Sequence, residues 1–200
     1  MNFIILATSI IFFFWVFAKA KAAKNKEAEQ DKAFWERERR ANSTRRKPLD
    51  DLDYINIPFD VLPFDAMCDD EQIADYHAPL RVLAEAPIVN LSCISNTELK
   101  LKYGAPNITL LSKYDSAYTA LARTLQQWAQ ALHEADYVDA ARRVLEFAVQ
   151  TKTDISASYL LLARIYRDAG EAENIAGLIA VAEGLDLAAG KRIAQKLREL

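Results

Sequence analysis

The chain contains little of the material from which most enzyme sites are built. Glycine occurs 5 times among 200 residues, and cysteine and histidine occur 2 times each. The sequence has no glycine-rich phosphate loop, no nucleophile elbow and no Cys/His spacing of a metal site. The two histidines, His77 and His133, lie far apart. We therefore interpret the chain as non-enzymatic, and we expect no catalytic residue, cofactor, metal site or small-molecule substrate.

An uncharged, largely apolar run covers residues 3–18. At a rise of ~1.5 Å per residue it spans about 24 Å, somewhat less than the ~30 Å hydrocarbon core of a bilayer. Lys19 and Lys21 can extend their ammonium groups back to the headgroups. A signal peptide carries positive charge before its apolar core and small residues after it, whereas here lysines follow the run. We predict an uncleaved transmembrane anchor over residues 1–20, and cleavage near Ala20 is the alternative.

Charge is distributed unevenly along the sequence. Residues 19–48 hold 11 Lys/Arg and 5 Asp/Glu, a net charge of +6. The other residues hold 14 basic and 23 acidic side chains, a net charge of −9, and the two sum to the −3 of the whole chain. Because basic residues beside a span stay in the cytoplasm, we expect the N-terminus outside and residues 19–200 inside. In that reducing compartment Cys68 and Cys93 would remain thiols.

The basic segment, residues 21–48, is expected to lie near anionic lipid. Its composition predicts that the helix continues over residues 20–41 and that a linker follows at 42–48. Glutamates interrupt the basic run. Since the membrane already accounts for the basic residues, we expect no nucleic-acid binding.

Residues 48–65 are rich in proline and aspartate, and the motif PFD occurs twice, at 58–60 and 63–65. Proline removes a backbone donor and favours extended geometry, so this Pro/Asp-rich stretch is predicted to be an extended strap on the helical body. A docking strip for a partner is the alternative. A metal site at Asp50, Asp51 and Asp53 lacks the glycine turn and the ligand series of an EF-hand.

Beyond the strap, residues 68–87 are predicted to form a helix that Asp69 or Asp70 caps and that Pro79 kinks or splits. The loop at 88–109 is predicted to hold one short helix and polar side chains that bond its own backbone. We expect residues 49–108 as a whole to pack on the C-terminal part of the chain.

From residue 109 onward, apolar residues at helical spacing predict five helices, with turns at 151–154 and Gly170 and with Gly184 and Gly190 bracketing the last turn. The helices pair, and similar residues recur 34 positions apart: Leu125 and Tyr159, Trp128 and Leu162, Ala129 and Ala163, Leu132 and Tyr166, Leu145 and Ile179, Ala148 and Ala182. Over residues 122–187 this pattern resembles degenerate tetratricopeptide repeats, although Asp136 stands where that family has glycine.

The resemblance implies an all-α fold in which a tetratricopeptide-like domain of stacked helical hairpins occupies residues 109–200, closed by a charged capping helix. The layout of one span and a helical body also resembles single-span membrane proteins of Gram-positive bacteria, a resemblance that implies no activity. In the tetratricopeptide family the first helix of each repeat faces a concave groove. The positions that match are Arg123, Gln126, Gln130 and His133, and then Ala157, Leu160, Arg164 and Arg167.

This set is polar and basic within an acidic body, which suits an acidic peptide or a C-terminal carboxylate. We therefore expect Arg123, Gln126, Gln130, His133, Arg164 and Arg167 to bind a protein partner. A solvated helix face with local ion pairs is the alternative. Three functions stay open: an adaptor or scaffold on the cytoplasmic face, a structural accessory subunit of a membrane complex, and a secreted or surface protein if the N-terminus is cleaved.

Overall fold

The computed structural model describes residues 2–67, 69–185 and 188–200, and the side chains of residues 2–11, 14 and 22 lie outside the description. Over these ranges the chain is all-helical, which confirms the all-α part of the predicted fold. The elements are α1 (Asn2–Asn42), α2 (Glu71–Leu83), α3 (Asn96–Tyr103), a 3₁₀ turn (Ala105–Asn107), α4 (Ile108–Glu134), α5 (Val138–Gln150), α6 (Ser156–Asp168), α7 (Glu173–Glu183) and α8 (Ala188–Arg198). Cys68 lies outside the described residues.

The chain divides into two compact units. The first unit is the chain up to Lys47 together with Asn96–Asn107, and the second is Pro48–Ser95 together with Ile108–Leu200. The sequence placed residues 96–107 in the segment that packs on the repeats, whereas the structure groups them with α1. The reason is that α3 packs on the end of α1, where Ala41, Leu99 and Tyr103 are buried.

The helix α1 is continuous over 41 residues, which corresponds to a length of about 60 Å. It runs through residues 20–41 and ends at Asn42, as the sequence predicts. Among the residues that the structure describes, no helix combines the length and the apolar character that crossing a membrane requires. Most side chains of the predicted anchor at residues 3–18 lie outside the part of the chain that the structure describes.

In the second unit, the strap over residues 48–65 forms neither helix nor regular strand. Ile57 and Leu62 are buried and belong to the hydrophobic core of the unit. Phe59 and Val61 are exposed, so part of the apolar surface of the strap contacts solvent. The strap turns at these positions, where the N–H groups of Val61 and Leu62 donate to the carbonyl of Pro58 at 3.1 Å and 3.0 Å, so it is not extended throughout.

The helix α2 begins as predicted. Asp70 is its N-cap, and its carboxylate accepts hydrogen bonds from the backbone N–H of Gln72 at 2.9 Å and of Ile73 at 3.1 Å. Of the kink or split predicted at Pro79, the split does not occur, because α2 continues through Pro79 to Leu83. Pro79 is exposed, so its ring lies on the solvent side of the helix.

The core of the second unit is built by α4–α8 with α2 packed on α4. In most pairs of residues that stand 34 positions apart, both members are buried. The fully buried ones include Trp128, Tyr159, Leu125, Leu162, Leu145 and Ala148. Ile179 is half-buried. The repeated apolar positions therefore mark the faces on which the hairpins pack.

The turns that end α4 and α6 have the same hydrogen bonds 34 residues apart. The N–H of Tyr137 donates to the carbonyl of Leu132 at 2.9 Å, and the N–H of Glu171 donates to that of Tyr166 at 2.8 Å. Asp136 has φ 66° and Gly170 has φ 78°, so both turns pass through the left-handed region. Aspartate tolerates this region better than most residues, which explains why it replaces glycine here.

Two predicted turn details need correction. Gly190 lies inside α8 instead of bordering a turn; it is buried there, and a Cβ on it would overlap the carbonyl oxygen of Ala182. The turn at 151–154 forms, but α6 has no side-chain cap at its N-cap Ile155. Thr153 instead accepts a hydrogen bond from the N–H of Ile155 at 3.2 Å.

Candidate functional site

The predicted partner-binding residues lie on α4 and α6 of the second unit, with different degrees of exposure. Arg123, Arg164 and Arg167 are exposed, as is Ala157, whereas Gln126, Gln130, His133 and Leu160 are half-buried. The three arginines are the members whose charge reaches solvent. We call Arg123, Arg164 and Arg167 the repeat-face arginines.

Several of these side chains already have partners within the unit. Ser158 donates its hydroxyl to the amide oxygen of Gln126 at 2.6 Å, and this bond joins α6 to α4. Gln130 donates to Glu134 at 2.7 Å on the same helix. Arg167 lies 3.4 Å from the carboxylate of its neighbour, Asp168.

Arg123 and Arg164 differ from the others, because the structure gives neither a hydrogen bond nor an ion pair with any described side chain. His133 has a buried Nδ1 without a hydrogen-bond partner among the described residues. The structure thus assigns Gln126 a role in helix packing, and it leaves the two arginines able to meet an anionic ligand.

An ion network around α5 and α6 was not predicted from the sequence. Arg142 donates to Glu146 and to Glu171, each at 2.8 Å, and its guanidinium lies 4.9 Å from the centroid of the Tyr166 ring. The hydroxyl of Tyr166 donates to Glu146 at 2.9 Å. The i,i+4 spacing of Arg142 and Glu146 was the available signal, whereas Glu171 is brought in only by the fold.

This network shifts the titration of its members. The hydrogen bond from Arg142 lowers the pKa of the Glu171 carboxyl, and the bonds to Glu171 and Glu146 raise the pKa of Arg142. Burial raises the pKa of Tyr166 to about 12. These shifts favour the charged forms of Arg142 and Glu171, so the ion pair between them persists over a wide pH range.

A cleft of about 400 Å³ also lies in the second unit, between the strap, the loop at 90–94 and the end of α5. The Asn90 carboxamide closes its floor by donating to the carbonyls of Thr151 at 3.2 Å and Lys152 at 3.1 Å. The sequence predicted bonds from loop side chains to the loop's own backbone, and Asn90 makes one by accepting from the N–H of Ser92 at 3.1 Å, but the carbonyls of Thr151 and Lys152 lie outside the loop. Lys152 and Asp53 at the rim are 3.9 Å apart and largely exposed.

Cys93 lines the cleft and is exposed, and Asp53 and Lys152 line it as well. Over the described residues the structure has no group of three or more acidic, cysteine or histidine side chains placed to hold a metal ion. Tyr118, buried nearby, donates to the carbonyl of Thr151 at 3.2 Å, and burial raises its pKa to about 12.

No protein family matches this chain, and neither the curated proteins nor the solved structures contain a match to it.

Proposed function

We propose that this protein is a non-enzymatic, membrane-anchored helical-repeat protein that acts as an interaction adaptor on the cytoplasmic face. The observation that carries the proposal is the aromatic surface near the start of α1. Phe12, Phe13, Trp15 and Phe17 are 57–72% exposed. At ~100° per residue they cover most of the helix circumference. A helix that is apolar on all sides is stable in lipid, because removing apolar surface from water contributes a free energy of about 25 cal/mol for each Å².

The lysines that follow these rings support an anchor with the body inside. Lys19, Lys21, Lys24 and Lys26 are exposed, and the ammonium of Lys19 lies 5.8 Å from the centroid of the Trp15 ring. A cation over an aromatic ring at the end of an apolar run is typical of a membrane–water interface. The excess of lysine on this side favours the cytoplasm for the rest of the chain.

The adaptor role is supported by the arrangement of the second unit. Paired helices with matching buried positions and matching turns 34 residues apart are typical of helical repeats, which bind partners along one face. Arg123 and Arg164 present guanidinium groups that suit carboxylates. An acidic peptide is therefore the kind of partner that we assign to the repeat-face arginines.

Carbonate extraction of membranes from cells that produce the full chain tests the anchor. We expect the protein to stay in the pellet, and we expect replacement of Phe12, Phe13, Trp15 and Phe17 by serine to release it. The control variant carries serine at Phe34 and Trp35, which are also exposed on α1 but lie outside the proposed span. Release of the unaltered protein by carbonate would refute an integral anchor.

The adaptor role is tested by capture of an immobilised acidic peptide that contains no large apolar side chain. Replacing Arg123, Arg164 and Arg167 by glutamate should abolish capture and leave the helical circular-dichroism spectrum unchanged. Lys191→Glu with Arg192→Glu on α8, which changes two other exposed cations of the unit, is the matched control. If all variants capture equally, the repeat face is not the docking site.

A structural accessory subunit is the second candidate, and the span distinguishes it from the adaptor. Exchanging residues 1–20 for an unrelated span should leave adaptor binding intact, because the binding residues lie in the second unit. Loss of a native membrane complex after this exchange would instead favour the accessory subunit.

A further inference from the structure

A second docking surface lies in the first unit, where α1 meets α3. It has two parts on α1, and Phe34 of the first part lies three residues before Arg37 of the second, on a neighbouring stripe of the helix. The first part is an exposed aromatic pair, Phe34 and Trp35. The second is a cleft of about 680 Å³ lined by Ala33, Glu36, Arg37, Arg40, Thr44, Lys47 and Leu101. We propose that this surface binds an acidic segment of a partner protein, a segment that carries carboxylates and at least one large apolar side chain.

The aromatic pair is placed where a partner can cover it. Phe34 is 56% exposed and Trp35 is 61% exposed, and their ring centroids are 5.4 Å apart in an edge-to-face arrangement. Phe34, Glu38 and Ala41 lie on one stripe of α1 by their i, i+4 and i+7 spacing. Glu38 and Ala41 on that stripe meet α3, so Phe34 extends the same face beyond the part that the chain itself covers.

The cleft beside this stripe is positively charged. Arg37, Arg40 and Lys47 face one carboxylate, Glu36, among the lining residues. Ala33 and Leu101 supply apolar surface between the cations. Arginines around a small apolar floor, with the exposed Phe34 ring on the neighbouring stripe, have the composition of a binding hot spot.

The walls of the cleft are held by hydrogen bonds within the unit. Lys47 donates its ammonium to the carbonyl of Leu101 at 2.9 Å and its backbone N–H to that of Tyr103 at 3.0 Å. The buried carboxamide of Asn107 donates to the carbonyls of Lys47 and Tyr103, each at 2.8 Å. Such a cleft is preorganised, which lowers the entropic cost of binding.

The charges that line the cleft are available to a partner. Arg37 lies 3.4 Å from Glu98, and both side chains are about half exposed. An exposed pair of this kind contributes little to stability, so a partner carboxylate can replace it. The side chain of Arg40 is exposed, and the structure gives it neither a hydrogen bond nor an ion pair with a described residue. Two cations can therefore bind acidic side chains without breaking a buried interaction.

The geometry favours a protein over the lipid that anchors the chain, an argument that rests on the proposed function. Along continuous α1, Phe34 follows Phe17 by 17 residues, or about 25 Å at the helical rise. The field of a leaflet falls off within about 8 Å at physiological salt. The polar and apolar residues of α1 do not segregate to opposite faces, so α1 is not built to lie flat on a bilayer.

The cleft also favours carboxylates over nucleic acid. Affinity for nucleic acid grows with the number of phosphates that cations neutralise. Here Glu36 lines the cleft and Glu98 lies against Arg37. Mixed charge around an apolar floor is typical of protein interfaces, whose rims are polar and whose cores hold aromatic residues and arginine.

Fluorescence anisotropy on the full chain in nanodiscs of neutral lipid tests the proposal. The probe is a labelled peptide of about twelve residues in which two leucines stand among glutamates. A peptide with glutamine in place of glutamate controls for apolar binding. We expect the acidic peptide to bind. We also expect the affinity to fall about tenfold or more in Arg37→Gln/Arg40→Gln, and equally in Phe34→Ser/Trp35→Ser.

The matched control is Lys191→Gln/Arg192→Gln on α8, which changes two exposed cations of the second unit and should change the affinity for this probe less than twofold. If the affinity falls only in Arg123→Gln/Arg164→Gln, the probe binds at the repeat face, so the second docking surface is refuted and the proposed function stands. Failure of the acidic peptide to bind would overturn the inference. The inference would also be overturned if the Arg37/Arg40 variant weakened binding of a uridine-rich RNA or of phosphatidylserine vesicles but left the affinity for the peptide unchanged. Unchanged far-UV circular dichroism confirms that each variant is folded.

Discussion

Ser158 donates its hydroxyl to the amide oxygen of Gln126 at 2.6 Å, and this bond links the first helices of the two hairpins. Ser158 is fully buried, so the bond lies beneath the surface that the sequence predicted as a binding groove. Gln126 is held by the fold and is not free to meet a ligand. The partner-binding role that we propose therefore falls on Arg123 and Arg164, which flank this link along α4 and α6.

Replacing Ser158 by alanine should lower the free energy of unfolding by about 1 kcal/mol, the typical net value of one hydrogen bond. The half-buried Gln126 amide can turn to water, which limits the cost. Urea denaturation of the full chain in detergent measures it. Ser116→Ala, which removes an exposed hydroxyl bonded to the Ser112 carbonyl on α4, should change stability by less than half as much. Equal effects would contradict the assigned link.

Gly104 is a position where alanine should be strongly unfavourable. Its φ is +93°, and a Cβ would overlap the carbonyl oxygen of Arg45. We expect Gly104→Ala to cost about 1–3 kcal/mol and to loosen α3 from α1. Hydrogen exchange of the amides of Leu99 and Tyr103 should become faster, because these buried residues lose their packing.

Gly177 is the matched control for this substitution. It lies inside α7, and a Cβ added there meets no atom within 4 Å. Gly177→Ala should stabilise the chain by about 0.5–1 kcal/mol, since alanine has the higher helix propensity. A destabilising Gly177→Ala would show that α7 is packed differently, and a neutral Gly104→Ala would contradict the close approach to Arg45.

Helical spacing made most of the fold of the second unit predictable. The apolar positions of α4–α7 recur with the helical period, and Gly170 ends α6 as expected. The left-handed backbone conformation of Asp136 was less predictable than that of a glycine, because most aspartates have negative φ. The grouping of residues 96–107 with α1 was not predictable either, since it depends on contacts such as that of Glu38 with Lys100 and Thr97 across some 60 residues.

The candidate site was predictable only in part. The family resemblance selected exposed positions correctly at Arg123, Arg164 and Arg167. It did not reveal that Gln126 accepts a hydrogen bond from Ser158, because a hydrogen bond between two helices depends on their mutual orientation. The aromatic pair on α1 was visible as sequence, but the cleft beside it forms only when Leu101 and Lys47 come together.

Removing Arg142 should destabilise the stack of α5 and α6. Arg142→Met keeps much of the side-chain volume but loses the bonds to Glu146 and Glu171. Both carboxylates then lack a cationic partner, although Glu146 still accepts from Tyr166 and Glu171 from Asn174. We expect a loss of about 1–2 kcal/mol in the free energy of unfolding. Arg167→Met, which loses only an exposed contact with Asp168, should stay within about 0.5 kcal/mol of the unaltered chain. Equal losses would show that the network contributes nothing specific.

Stability should fall between pH 7 and pH 5, with His77 as the main cause. His77 is buried against Phe64 and Trp128, at ring-centroid distances of 4.8 Å and 4.9 Å. Burial, followed by the charge of Arg81, lowers the pKa of its imidazole below the ordinary value. The unfolded chain therefore takes up this proton first as the pH falls through about 6.5, and the folded state loses stability until its own pKa is passed.

Thermal unfolding of the full chain at pH 7, 6 and 5 measures this loss. His77→Leu should flatten the pH dependence over this window, because leucine does not titrate. Carboxylates with a lowered pKa, such as Glu38, lose their contribution only near or below about pH 4. A slope that is the same in His77→Leu would assign the pH dependence to other groups.

The most direct test of the account is protease access to a C-terminal tag on intact cells, with the mass of the full-length protein measured on the same sample. The account predicts a tag that the protease cannot reach until the cells are opened, on a membrane-bound protein that retains residues 1–20. A tag digested on intact cells, or a mass lower by the N-terminal segment, would contradict the cytoplasmic anchor and place the helical body outside.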